Sequence, residues 1–260
     1  MLQAEYVKDF LAFGVKQARA AAFAGLFLFL IFASSHIQIP GMTRYDFLFI
    51  AAILIQIVML LLKLETIDEA KTILLFHIIG LILEIYKTSP TIGSWAYPEP
   101  GYLKIFSVPL YSGFMYASIG SYIAAAWKLL QIKITNPPAY LHSVILCALV
   151  YLNFFTNHFV YDFRVFLIAL IFILYRKTWV EFTPRQKTYR MPLSLGFILI
   201  ACFVWIAENI GTFYGAWQYP SQIHAWTIVS FYKITSWFLM VIISFIIVAY
   251  LKHVKASRRS

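Results

Sequence analysis

The feature that most constrains this chain is a succession of apolar stretches, each about as long as a helix must be to cross a bilayer. A transmembrane helix takes roughly 20 apolar residues. The sequence offers eight such stretches, at 16–35, 46–63, 72–88, 107–130, 139–158, 162–180, 191–212 and 226–251. Apolar residues make up 62% of the 260 positions and charged residues only 12%, against about 25% charged in a soluble domain. That is too little polar surface to face water, and it also excludes a disordered chain, a coiled coil and a secreted disulfide scaffold. Cys147 and Cys202 both lie inside apolar stretches and read as small core side chains rather than a disulfide or a metal pair. The expected fold is all-α: a polytopic membrane bundle of about eight transmembrane helices, forming a single integral membrane domain over 1–260.

Lysine and arginine orient the spans, because basic residues accumulate on the cytoplasmic side. With the N-terminus inside, the termini and loops 2–3, 4–5 and 6–7 hold 16 of the 21 basic residues, Lys255, Arg258 and Arg259 among them. The outer side holds Arg44, Lys87, Lys104, Arg164 and Lys233. This split predicts a multi-pass protein of the cell membrane with both termini cytoplasmic. The whole net charge of +10 falls on the inner face, beside anionic lipid headgroups. The basic balance therefore points to membrane lipids as partners and not to nucleic acid.

The chain also reads as duplicated. Tyr45-Asp46-Phe47 opens span 2 and Tyr161-Asp162-Phe163 opens span 6. Glu84, near the end of span 3, is followed by Gly93-Ser94-Trp95-Ala96-Tyr97-Pro98; Glu208, near the end of span 7, is followed by Gly215-Ala216-Trp217-Gln218-Tyr219-Pro220. Two motifs recur in the same order and at the same membrane depth, which predicts a 4+4 parallel duplication with repeats 1–135 and 136–260. Four spans return the chain to its starting side, so the halves would be related by a pseudo-two-fold axis along the membrane normal.

The candidate chemistry lies at the outer ends of these spans. Asp46 and Asp162 sit where helices begin, and aspartate suits an N-cap and the positive end of the helix dipole. Arg44 and Arg164 lie two residues from those aspartates and could pair with either carboxylate. Glu84 and Glu208 are at the C-terminal ends of their spans, where burial and dipole both disfavour a charged acid. An intramembrane acid is a functional-site hypothesis by default; the alternative is a carboxylate that ties its own loop by accepting from Thr or Trp donors. His77 is two helical turns before Glu84 on the same face, about 10 Å away along the axis. Span 5 ends on Asn153, Asn157 and His158, with Asp162 next, so His158 and Asp162 could act as a base and its orienter. No metal-ligand spacing is present and no metal is expected. Nor is there a P-loop, a dinucleotide glycine motif or a nucleophile elbow, so no cofactor is expected either. Gly113, Ala117, Ser121 and Ala125 form a small-residue stripe suited to close helix packing.

Arg44-Tyr45-Asp46-Phe47, Leu64-Glu65-Thr66, Phe76-His77, Gly93-Ser94-Trp95-x-Tyr97-Pro98, Val108-Pro109-Leu110, Gly113-Phe114-Met115-Tyr116, Asn153-Phe154-Phe155-Thr156 and Trp205-Ile206-Ala207-Glu208-Asn209 together resemble the YoaT-like bacterial membrane family, domain of unknown function 817. That family brings no established function with it. Its pattern ends span 5 on two histidines, and here the first of them is Asn157, which argues against a paired-histidine metal site. A second, local resemblance joins Glu84, the Gly-x-Trp-x-Tyr stretch and Val108-Pro109-Leu110 to carotenoid hydratases of the CruF type. It implies acid catalysis by an intramembrane glutamate on a prenyl-type lipid.

Taken together, Glu84, Glu208, His77, His158, Asp46 and Asp162 are the expected catalytic groups. Trp95, Tyr97, Trp217, Tyr219, Asn153, Asn209, Arg44 and Arg164 are the expected binding residues. They would line one outward-facing cavity at the repeat axis that takes a lipid or a small molecule. The expected activity is intramembrane acid catalysis on a prenyl-type or other lipid; the alternatives are a small proton-coupled transporter or a non-catalytic lipid-binding protein.

Overall fold

The computed structural model describes residues 2–257, with side chains described over 5–252. The Lys255 side chain, Arg258, Arg259 and Ser260 lie outside the described residues. Among the described residues, nine helices follow one another: α1 (Leu2–Ala20), α2 (Ala22–Ser34), α3 (Arg44–Leu61), α4 (Ile67–Lys87), α5 (Ser112–Leu129), α6 (Tyr140–Thr156), α7 (Arg164–Tyr175), α8 (Leu193–Phe213) and α9 (Lys233–Ser257). Short strands interrupt them: β1 (Lys104–Ile105), β2 (Val108–Pro109), β3 (Lys133–Thr135), β4 (Trp179–Phe182) and β5 (Tyr189–Pro192).

Each expected apolar stretch overlaps one helix from α2 to α9, but 16–35 also takes in the end of α1, bent by 64° from α2, and 226–251 becomes helical only at Lys233. Among the described residues, three helices are long and apolar enough to cross a membrane: α3, α8 and the Lys233–Lys252 part of α9; the bent pair of α1 and α2 makes a fourth if taken as one span. The other helices fall short for local reasons. The first turn of α4 carries Asp68 and Glu69. The 12 residues of α7 reach only about 18 Å, against a hydrocarbon core of about 30 Å. The stretch 162–180, read from sequence as one helix, breaks after Tyr175. Trp179 and Val180 favour extended backbone, and there they pair antiparallel with β3 on one side and β5 on the other. Likewise 107–111 is not helical, because Val108–Pro109 pairs with Lys104–Ile105. The chain is mostly helical with two small antiparallel sheets, rather than purely α.

The chain folds as two compact units: Met1–Ala22, Tyr122–Cys202 and Ile234–Ser260 form the first, Phe23–Ser121 and Phe203–Lys233 the second. Neither coincides with a sequence half.

In the first unit, the segments after α5 and after α7 meet in the β3-β4-β5 sheet, and α1 docks on the second of these segments. Tyr189 donates to Asp9 at 2.7 Å, Arg185 pairs with Glu5 at 3.0 Å and Lys16 donates to the Thr183 carbonyl at 3.1 Å.

In the second unit, α4 opens with a capping box in which Thr66 and Glu69 satisfy each other's backbone N–H groups. Glycines set the fit of α4 against α5. A Cβ at Gly80 would come within 2.5 Å of the Tyr116 ring, one at Gly113 within 2.6 Å of His77, and one at Gly120 within 2.3 Å of Phe76. Gly113 of the small-residue stripe thus receives His77, Gly120 beside the stripe receives Phe76, and Gly80 returns the space for Tyr116.

Candidate functional site

Glu84 lies in the last turn of α4, one turn beyond Gly80, and is only 2% exposed. Its carboxylate accepts three hydrogen bonds, each of 2.7 Å: from Trp95 Nε1 and the Tyr97 hydroxyl on one oxygen, and from the Tyr116 hydroxyl on the other. Glu208, 3% exposed near the end of α8, accepts from the Tyr219 hydroxyl. Each acid is therefore held by the loop that follows it, which is the loop-tying role that the sequence left as an alternative.

The two loops also hold each other. Ala96 and Gln218, at matching positions of the repeated Gly-x-Trp-x-Tyr-Pro segments, form an antiparallel bridge and exchange both backbone hydrogen bonds at 2.9 Å. Gly93 and Gly215 open the two segments with φ of 55° and 69°, a left-handed conformation that glycine adopts without strain. The Trp95 and Tyr219 rings then stand edge to face, 6.1 Å apart. Tyr219 is within electrostatic reach of both Glu208 and Glu84, and so is Tyr116. Two buried acids and four aromatic donors thus make one cluster in the second unit.

The loop phenols stay protonated. Burial, reinforced by the adjacent Glu84, pushes Tyr97 well above its ordinary range; burial and Glu208 do the same for Tyr219. Both remain donors at physiological pH. Three donors on one carboxylate offset much of the cost of burying it, a cost that an unsatisfied acid would bear in full.

The other expected site residues divide by role. Asp46 does not cap α3; the helix starts at Arg44, so Thr43 holds the cap position and accepts from the Asp46 N–H, while Asp46 lies within the first turn. Asp46 instead accepts from the Tyr102 and Leu103 N–H groups at 3.0 and 2.7 Å and so fastens the loop after the first aromatic segment. Arg44 pairs with Glu99 at 2.6 Å, not with an aspartate, and also donates to Ser34 and to the Ile31 and Tyr214 carbonyls. His77 packs at a tilt of 53° against Phe114, its ring centroid 4.5 Å away, with a buried Nδ1 that has no hydrogen-bond partner. Trp217 folds onto Gly211, where a Cβ would sit 2.3 Å from its ring. Asn209 donates to the Trp205 carbonyl and accepts from the Val229 N–H, anchoring the loop before α9.

Asp162, Asn153, Arg164 and His158 lie in the first unit. Asp162 pairs with Arg164 at 3.1 Å and accepts from Asn153 at 3.1 Å, which fixes the turn from α6 to α7. It precedes Phe163, the cap residue of α7, rather than capping the helix itself. His158 is exposed.

Sequence reasoning passes over Tyr116 and Lys233. Tyr116 reaches Glu84 only because Gly80 leaves room; the glycine four residues before the acid is the available signal. Lys233 reads in the sequence only as an outer charge, yet its ammonium lies over the Trp95 and Tyr219 rings. A third buried glutamate, Glu65, accepts from Gln56 and Ser121 at the other end of α4. An apolar groove of about 350 Å³ runs beside Trp205, Ile206, Asn209, Ile210, Phe213 and Trp226 and is lined by neither glutamate. Among the described residues, no group of three or more His, Cys, Asp or Glu side chains is placed to hold a metal ion.

The chain is similar along nearly its whole length to a protein of equally unknown role. It is 49% identical over 249 residues to the uncharacterised protein YoaT of Bacillus subtilis (strain 168), covering 96% of this chain and 94% of that protein. No solved structure matches it. The pattern of the family described as protein of unknown function (DUF817) matches residues 9–245. The chain therefore belongs to the DUF817 family.

Proposed function

We propose that this is a multi-pass integral membrane protein that exchanges a proton at the Glu84–Glu208 pair and couples that exchange to movement of a small solute. The observation that carries the reading is the shared cluster: two buried acids from different helices, each bonded by phenol donors, on loops that pair through Ala96 and Gln218. Tyr116, which donates to Glu84, and Tyr219, which donates to Glu208, are each within electrostatic reach of both acids. A carboxylate saturated by three protein donors suits proton exchange better than attack on a bulky substrate. Buried membrane acids mark proton relays in pumps and transporters.

Several features support an eight-span arrangement with cytoplasmic termini. The N-terminal helix and loops 4–5 and 6–7, all assigned to the inner side, bond to one another in the first unit. Loops 3–4 and 7–8, both assigned to the outer side, bond to one another in the second. Ile53, Leu54, Ile57 and Val58 of α3 and Leu199, Phe203 and Ile206 of α8 are exposed, as lipid-facing residues would be. The Ala96–Gln218 pairing, at matching positions of both segments, is what an internal two-fold would produce.

A second reading is intramembrane acid catalysis on a prenyl-type lipid. It is favoured by the aromatic faces that surround the acids.

The test uses the purified full-length protein in nanodiscs. Infrared difference spectra between mildly acidic and mildly alkaline buffer should contain a protonated-carboxyl band that disappears in E84Q or E208Q. Identical spectra for wild type and both variants would refute proton exchange. Lipid extracts of deletion and overexpressing strains that differ by mass spectrometry would favour catalysis instead.

A further inference from the structure

Lys233 opens α9, where its charge opposes the helix dipole, since cations are disfavoured at a helix N-terminus. Something other than α9 must hold it there. Its ammonium lies 5.1 Å from the centroid of the Trp95 ring and 4.5 Å from that of Tyr219. The two rings meet at 71°, so they form two walls of a corner with the ammonium over both faces. The polar edges of the same rings hold the acids: Trp95 Nε1 donates to Glu84, and the Tyr219 hydroxyl donates to Glu208. Lys233 is also within electrostatic reach of Glu84. The acids are buried, whereas Lys233, Trp95 and Tyr219 are each only partly buried. The corner is thus the more accessible part of the cluster.

We infer that the Trp95–Tyr219 corner is a seat for a small organic cation, a primary or quaternary ammonium, which Lys233 occupies as a tethered stand-in until the cargo displaces it. The chemistry of the walls selects this class. Aromatic faces attract ammonium ions through the ring quadrupole, and two acids behind the rings add negative potential. A hard metal cation would need a shell of oxygen ligands, and the Glu84 oxygens are already turned to phenol and indole donors. An anion would meet two carboxylates. The assignment rests on the proposed reading of the Glu84–Glu208 pair, for which it names the cargo.

The experiment titrates tetramethylammonium and methylammonium into full-length protein in nanodiscs by calorimetry. K233A empties the seat and should bind at least one of these ions about tenfold more tightly than wild type, the effect of roughly one additional cation–π interaction. W95A combined with K233A should lose that increase. If K233A does not give folded protein, K233Q, which keeps the chain length and removes the charge, makes the same comparison. Tighter methylammonium binding would assign a primary ammonium, tighter tetramethylammonium binding a quaternary one. Equal or absent binding in wild type and the lysine variant would overturn the seat. The infrared carboxyl band reads the acids independently of any cation, so a failed seat and a failed proton exchange are told apart.

Discussion

Ala96 and Gln218, 122 positions apart in the sequence, donate their backbone N–H groups to each other's carbonyls at 2.9 Å. This pairing brings the two aromatic segments together, and with them the acids those segments hold. A narrow, doubly hydrogen-bonded antiparallel pair has its Cα atoms about 5.5 Å apart, within the ~4.4–6.8 Å that a disulfide spans. With Cys147 and Cys202 replaced by serine, A96C/Q218C should form an intramolecular disulfide in membranes under mild oxidant. The expected outcome is a reductant-sensitive mobility shift on non-reducing gels; free thiols at both positions would contradict the pairing.

Gly80 and Tyr116 give a prediction on stability. A Cβ at position 80 would meet the Tyr116 ring at 2.5 Å, and the ring would have to leave Glu84. Overpacking of this kind costs roughly 1–3 kcal/mol. Gly80→Val should lower the thermal midpoint of the purified protein by several degrees. Y116F, which loses one hydrogen bond but keeps the packing, should lower it less.

The acids should separate by role. Asp46→Asn leaves the Tyr102 and Leu103 N–H groups with a weaker acceptor, at about 1–3 kcal/mol, and should loosen the 99–106 loop to proteolysis. Glu208→Gln keeps shape and volume and should leave the melting curve nearly unchanged while abolishing solute movement. Equal destabilisation by the two changes would place Glu208 among the purely structural acids.

Arg44 donates to a carboxylate, a hydroxyl and two carbonyls at once. A lysine cannot reproduce the planar fork. Arg44→Lys should therefore destabilise almost as much as Arg44→Ala, by about 1–3 kcal/mol for the acceptors left unsatisfied, because Glu99 keeps solvent contact and the pair is only partly buried. Full stability of the lysine variant in a denaturation series would show that charge alone suffices.

Topology is open to a direct measurement. A reporter fused after Ser260 should be active only when it is of the kind that works in the cytoplasm. Activity of a periplasmic-type reporter there would reverse the assignment of inner and outer loops.

The apolar stretches, the glutamates at their ends and the doubled Gly-x-Trp-x-Tyr-Pro segment were legible in the sequence, because each is a local pattern of side-chain type along a helix or a turn. The same local reading could not foresee that 162–180 stops being a helix at Tyr175. What ends it is pairing with strands that begin at Lys133 and Tyr189, a contact that no window over 162–180 contains. Nor could it tell that Arg44 chooses Glu99 over Asp46, since that depends on where a loop 55 residues away returns. The meeting of Tyr116 with Glu84 depends on a missing Cβ on the facing helix, and the seating of Lys233 over Trp95 and Tyr219 depends on two loops docking first. Sequence alone determined which residues seek apolar surroundings and which acids end apolar helices. Tertiary structure decided which partners those acids found, because hydrogen bonds and ring contacts act over a few ångströms between groups that the chain itself keeps far apart.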